Sequence, residues 1–156
     1  MRLSLVGINH QTAPITIREK VAISGDGLSD TLALLHPYIP RGVILSTCNR
    51  TEVYTIESDD SQAREAGLDF FKARLDVADE ALLQHVYLLE NKSAVEHLFR
   101  VASGLESMII GEYEVLGQVG HALETAESAG MVNLPLRHIF QSAIRTGRRV
   151  REDWKT

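Results

Sequence analysis

One cysteine, Cys48, stands in the 156 residues. An intrachain disulfide is therefore impossible, and a reducing, cytoplasmic setting is the expectation. Apolar runs are short, and none approaches the roughly 18–20 residues a membrane span needs, so no membrane role is expected. The opening MRLSLVGINHQ has neither a long apolar region nor a small-residue cleavage site and does not read as a secretory signal. The six histidines (10, 36, 85, 97, 121 and 138) form no close pair with one another or with the cysteine. A zinc or other metal site is accordingly not expected. Neither GxGxxG after a strand nor GxxxxGK[ST] occurs, which excludes a dinucleotide-binding or P-loop unit from this chain.

The composition is that of one globular domain, with 44% hydrophobic and 24% charged residues. The net charge of −5 argues against a nucleic-acid partner, but it is unevenly spread. Residues 131–156 hold Arg137, Arg145, Arg148, Arg149, Arg151 and Lys155 against Glu152 and Asp153, a balance of +4, which leaves −9 on residues 1–130. A phosphate backbone would meet the C-terminal stretch first. A solvated polar helix face accounts for the same charges.

The chain opens with a strand over residues 2–9, followed after Pro14 by a short helix and by a second one over 28–35. Pro37, Pro40 and Gly42 mark a turn. Two β-type runs, 43–45 and 53–56, flank the polar tetrad Thr47-Cys48-Asn49-Arg50 and suit a hairpin. A helix over 61–75 should bury Ala63, Ala66, Phe70 and Phe71, and 86–89 reads as a fourth strand. From residue 93 onward the period is helical. Val95, Leu98, Val101, Ala102 and Leu105 form one stripe, with Gly111 as a break. Val115, Leu116, Val119, Ala122, Leu123 and Ala126 form a second stripe that stops at Gly130. Asn133 and Pro135 begin a last helix with Leu136, Ile139, Phe140, Ala143, Ile144, Gly147 and Val150 inward. That stripe reaches the end of the chain without a stop signal, as expected of a fragment of a longer protein. The order implies an α+β fold: a ferredoxin-like βαββαβ antiparallel sheet with helices on one face and three further helices packed beside it.

Cys48 is the residue with the most chemistry in reach. Lone cysteines are most often small buried hydrophobes. Here the thiol falls in a polar connection between strands, where reactive groups are commonly presented. A free thiol, with a pKa of about 8.5, is only slightly ionised at neutral pH, and a cation such as Arg50 would favour the thiolate. His97 lies on the flank of its helix's apolar stripe, where a hydrogen-bonded, half-buried role and a catalytic one both fit. Ser107, Glu112, Glu114 and Gln118 surround the break between two helices. They read either as a capped junction or as a substrate-binding bend.

Four segments together resemble the glutamyl-tRNA reductase family: VGINHQTAP (6–14) with Arg18-Glu19 following, LSTCNRTEVY (45–54), HLFRVASGLESMIIGE (97–112) and VLGQV (115–119). The C-terminal Arg148-Arg149-Val150-Arg151 is similar to the start of that family's long linking helix. The resemblance implies an N-terminal catalytic, glutamyl-tRNA-binding domain over 1–156, with 133–156 opening the linker and the NADPH-binding and dimerisation domains absent. It implies Cys48 as the nucleophile that forms a glutamyl thioester, which NADPH then reduces to glutamate-1-semialdehyde for tetrapyrrole (porphyrin and haem) synthesis. His97 takes the position of a histidine important for activity, as base or positioning group. Thr47, Asn49, Arg50, Ser107, Glu112, Tyr113, Glu114 and Gln118 fall on substrate-binding positions, with Arg50 suited to a carboxylate. The implied partners are glutamyl-tRNA(Glu), a second subunit of a homodimer and a glutamate-1-semialdehyde aminotransferase. A fragment of this extent would lack reductase activity by itself.

The sequence departs from the family at Glu114, commonly glutamine, at Gly120, commonly lysine, and at Glu152-Asp153-Trp154, commonly Thr-Glu-Thr. An acid at 114 is unfavourable beside an anionic substrate unless it is protonated or turned towards a cation. Two other readings use the same residues: a cysteine hydrolase or acyltransferase using Cys48 with His97, and a non-catalytic RNA-binding module that contacts its partner through the basic last helix.

Overall fold

The computed structural model describes residues 2–57, 62–106 and 114–155, without the side chains of the last two. Eleven elements follow in the order β1 (Arg2–Asn9), α1 (Ile15–Val21), α2 (Gly25–Leu35), β2 (Gly42–Ser46), β3 (Arg50–Glu57), α3 (Ala63–Leu75), α4 (Asp79–Leu83), β4 (Tyr87–Glu90), α5 (Asn91–Ala102), α6 (Glu114–Ser128) and α7 (Leu134–Lys155). The strands form one antiparallel sheet in the order β2-β3-β1-β4. Two helical crossovers, from β1 to β2 and from β3 to β4, interleave to give the expected ferredoxin-like plan.

The expectation of helices on one face alone is corrected. β3 is buried at all eight positions, as a strand covered on both sides must be. Successive side chains alternate between the faces. Val6 and Val53 meet α3, where Gly67 lets the helix approach. On the opposite face, Tyr54 takes the edge of Phe140 from α7 at 5.2 Å between ring centroids. The three C-terminal helices thus supply the second layer rather than an appendage.

Local signals explain the element ends. Gly130, at φ +75°, closes α6 in a left-handed conformation that β-carbon-bearing residues disfavour. The Gly130 and Met131 amides then donate to the Glu127 and Ala126 carbonyls. The Asn133 side chain caps α7 by accepting from the Leu136 amide at 3.1 Å, and Pro135 sits in the first turn where no amide is needed. The α3 face is rotated from the expected one. Ala63, Gly67, Phe71 and Leu75 are buried, while Phe70 is half-buried under Arg74, 5.2 Å from its ring. α4 has five residues, too few for a period to announce. No helix among the described residues is long and apolar enough to cross a membrane.

Candidate active site

β2 and β3 form the expected hairpin, paired from Gly42↔Thr55 to Ser46↔Thr51. The Thr47 amide closes it by donating to the Arg50 carbonyl at 2.8 Å. Cys48 and Asn49 form the tip, where the Asn49 amide donates to Thr47 Oγ1 at 3.1 Å and Cys48 is exposed. The thiol is presented to solvent on a short connection whose ends the sheet fixes.

Below this tip lies a polar network inside the core, centred on a residue the sequence reading did not single out. Glu52 is fully buried. Its Oε1 accepts from the Tyr54 hydroxyl at 2.8 Å. Its Oε2 accepts from Arg50 Nη1 at 3.2 Å, from the Tyr87 hydroxyl, and from His97 Nε2 at 2.5 Å. Sheet register makes this meeting possible. Gly7 pairs with Glu52 on one side and Tyr87 on the other, so all three share a face. A Cβ on Gly7 would fall 2.7 Å from the Tyr87 ring, through which the tyrosine reaches across β1 to the carboxylate.

The electrostatics follow from these contacts. Burial works to raise the Glu52 pKa. The hydrogen bond and charge of His97, the charge of Arg50 and the Tyr87 hydroxyl outweigh it and hold the carboxyl at about 2. Burial, reinforced by the Glu52 charge, pushes Tyr54 and Tyr87 well above the usual phenol range, so both remain hydroxyl donors. With Glu52 ionised at neutral pH, His97 Nε2 is the nitrogen that donates to it. Burial is the largest single influence on Arg50 and opposes its charge, but the surrounding groups, Glu52 foremost, together outweigh it and raise its pKa.

The expected residues are therefore sorted by position. Thr47, Cys48, Asn49 and Arg50 come together at the hairpin. The Arg50 side chain points inward, 2% exposed, with Nη1 on Glu52 and Nη2 on the Glu106 carbonyl. The described hydrogen bond of His97 runs to Glu52, so the histidine is joined to the loop through Glu52 and Arg50. Glu114 opens α6 as an exposed acid in its first turn, where the helix dipole favours it, and Gln118 follows half-buried on the same helix. Ser107, Glu112, Tyr113 and Gly111 lie outside the described residues. Among those described, no group of three or more His, Cys, Asp or Glu is arranged to hold a metal ion.

This ferredoxin-like domain thus carries an exposed thiol at a hairpin tip, above a buried Arg–Glu–His network. Residues 6–154 match the family glutamyl-tRNAGlu reductase, N-terminal domain. The structure of glutamyl-tRNA reductase from Methanopyrus kandleri is similar at a TM-score of 0.75 and 35% identity, over 97% of this chain. The chain spans 34% of the length of that protein. This chain belongs to the glutamyl-tRNA reductase N-terminal domain family.

Proposed function

We propose that this chain performs the acyl-transfer half of glutamyl-tRNA reduction, an oxidoreductase reaction of tetrapyrrole synthesis. Cys48 Sγ attacks the ester carbonyl of glutamyl-tRNA(Glu). A C–S bond forms, the C–O bond to the ribose breaks, and the proton lost by the thiol ends on the released tRNA hydroxyl. The observation that carries this reading is the exposed Cys48 on a loop braced from below, within a chain matched to the family almost end to end. In this reading Thr47, Asn49 and Arg50 line the acyl donor. For Arg50 to take the glutamate carboxylate, its bond to the Glu106 carbonyl must be exchanged for one to the ligand. His97 acts either as a base or by holding Glu52, and through it Arg50, in place.

NADPH would supply the hydride that converts the thioester to an aldehyde. The described residues do not fit that cofactor. The sheet is antiparallel, and β1 leads through an Asn9-capped turn and Pro14 into α1, with no glycine turn to seat a pyrophosphate. No step is therefore assigned to this chain beyond acylation and slow hydrolysis of the thioester.

The test is mass spectrometry of the chain mixed with glutamyl-tRNA(Glu), beside Cys48→Ser. A glutamyl adduct on the parent and none on the variant is expected. Intact, folded parent protein that never acquires the adduct would overturn the reading. Semialdehyde made by this chain with NADPH would overturn the division of labour.

A further inference from the structure

Arg18 is a feature of the thiol loop that the proposed chemistry leaves unused. It stands in the second turn of α1, and its Nη1 donates to the Cys48 carbonyl oxygen at 3.0 Å. The bonds inside the tip are local, from Thr47 to Arg50 and from Asn49 to Thr47. Among the described residues, Arg18 is the group from another element that holds the tip itself.

The end of α1 holds the base of the same hairpin. The Ile23 amide donates to Ser46 Oγ at 3.0 Å, and Thr51 Oγ1 donates to the Val21 carbonyl at 3.4 Å. Ser46 and Thr51 face each other across the strands at 3.1 Å between hydroxyl oxygens. The hairpin is thus tied along one side by α1 and from beneath by Arg50.

The conformation of Arg18 has a cost that fits such a role. Its Nε is shielded from solvent and has no hydrogen-bond partner among the described residues. A side chain kept only for solubility would turn that N–H to water. His10, at the end of β1, adds a neutral neighbour. Its burial, then the charges of Arg50 and Arg18, lower its pKa, with Glu106 acting in the opposite sense.

We infer that Arg18 is a positioning residue for Cys48, fixing the nucleophile by holding its backbone carbonyl from α1. The inference rests on the reading of Cys48 as the acyl acceptor. Orientation matters for such a step because reacting atoms must be held roughly 3–3.5 Å apart and aligned, and a displacement of about 1 Å can cost on the order of a hundredfold in rate.

The test uses Arg18→Met and Arg18→Lys in the full 156-residue chain, checked for folding by thermal melting. Hydrogen exchange at the amides of residues 47–50 should quicken about tenfold in Arg18→Met, with Arg18→Lys between it and the parent. Single-turnover glutamyl transfer to Cys48 at saturating glutamyl-tRNA should slow about tenfold or more, with the half-saturating concentration little changed and the lysine variant partly rescued. Slowed transfer with parental exchange would make Arg18 a substrate contact and overturn the inference. Faster exchange with parental transfer would overturn it equally, as would no change in either. A parent chain that forms no adduct sinks the acyl-transfer reading instead, and the exchange measurement still decides whether Arg18 clamps the loop.

Discussion

Glu52 is where the residue-scale chemistry concentrates. Its carboxyl is held at about 2 in the folded protein against an ordinary 4.5. A group with a depressed folded pKa contributes stability that is fully present above the unfolded value and is lost as pH falls through the folded one. The contribution is therefore complete above about pH 4.5 and disappears towards pH 2. A shift of this size corresponds to about 3 kcal/mol, a substantial part of a typical domain's stability. Glu52→Gln leaves Arg50 buried without its counter-charge, and a loss of about 3–5 kcal/mol at neutral pH is expected. The variant should also lose less stability than the parent between pH 5 and pH 2. Urea unfolding of both proteins across that range decides the matter, since curves that stay parallel would show that Glu52 is not the titrating group. The sequence made Cys48 legible because a polar tetrad between two β runs is visible in one dimension. Glu52 was hidden because a carboxylate in a strand reads as solvent-facing. Only the pairing of β3 between β2 and β1, with α5 packed against β1 and β4, brings Tyr54, Tyr87, Arg50 and His97 around it.

At the scale of elements, the helical periods fixed most of the layer that covers the sheet, and glycines decide how closely its members approach. The stripe on α6 is buried as expected at Val115, Val119, Ala122, Leu123 and Ala126. On α5, Leu105 is exposed instead, because the helix ends at Ala102 and the chain turns away. Gly147 on α7 reads as a weak point in a helix, since alanine is favoured over glycine by about 1 kcal/mol in helix interiors. Its setting reverses that preference. A Cβ there would lie 2.5 Å from the Ala102 carbonyl oxygen and 3.0 Å from its carbon, backbone atoms at the end of α5 that have little room to yield. Gly147→Ala is expected to destabilise by about 1–3 kcal/mol despite the better helix former. Gly117→Ala and Gly120→Ala on α6 meet nothing within 4 Å and should each stabilise by up to about 1 kcal/mol. Chemical denaturation of the three variants separates the cases. A stabilised Gly147→Ala would mean that α5 and α7 are not held at this notch.

For the whole molecule, the charge map drawn from the sequence needs revision before it can speak about tRNA. Six basic side chains in residues 131–156 suggested one contact surface. Arg151 is 5% exposed and donates to the Ala102 carbonyl at 3.1 Å, so it belongs to the joint between α5 and α7. Arg137 is paired with Glu127 at 2.9 Å. Among the described side chains, the arginines that α7 offers to solvent are Arg145, Arg148 and Arg149. Two of these, Arg145 and Arg148, line an open groove of about 830 Å³ against α6, where His121, Glu124 and Glu127 stand opposite. If tRNA is the partner and this face meets its backbone, each arginine replaces about one condensed counterion, and affinity should fall with salt accordingly. Replacing Arg145, Arg148 and Arg149 together by alanine should weaken tRNA binding and flatten the slope of log affinity against log salt by roughly 2–3. Such a change would leave the thiol loop untouched, so acylation of Cys48 at saturating tRNA should stay near the parental rate. Filter binding over a salt series reads the slope directly. An unchanged slope in a folded variant would move the phosphate contacts off α7, because this predominantly acidic domain must then meet tRNA through another face.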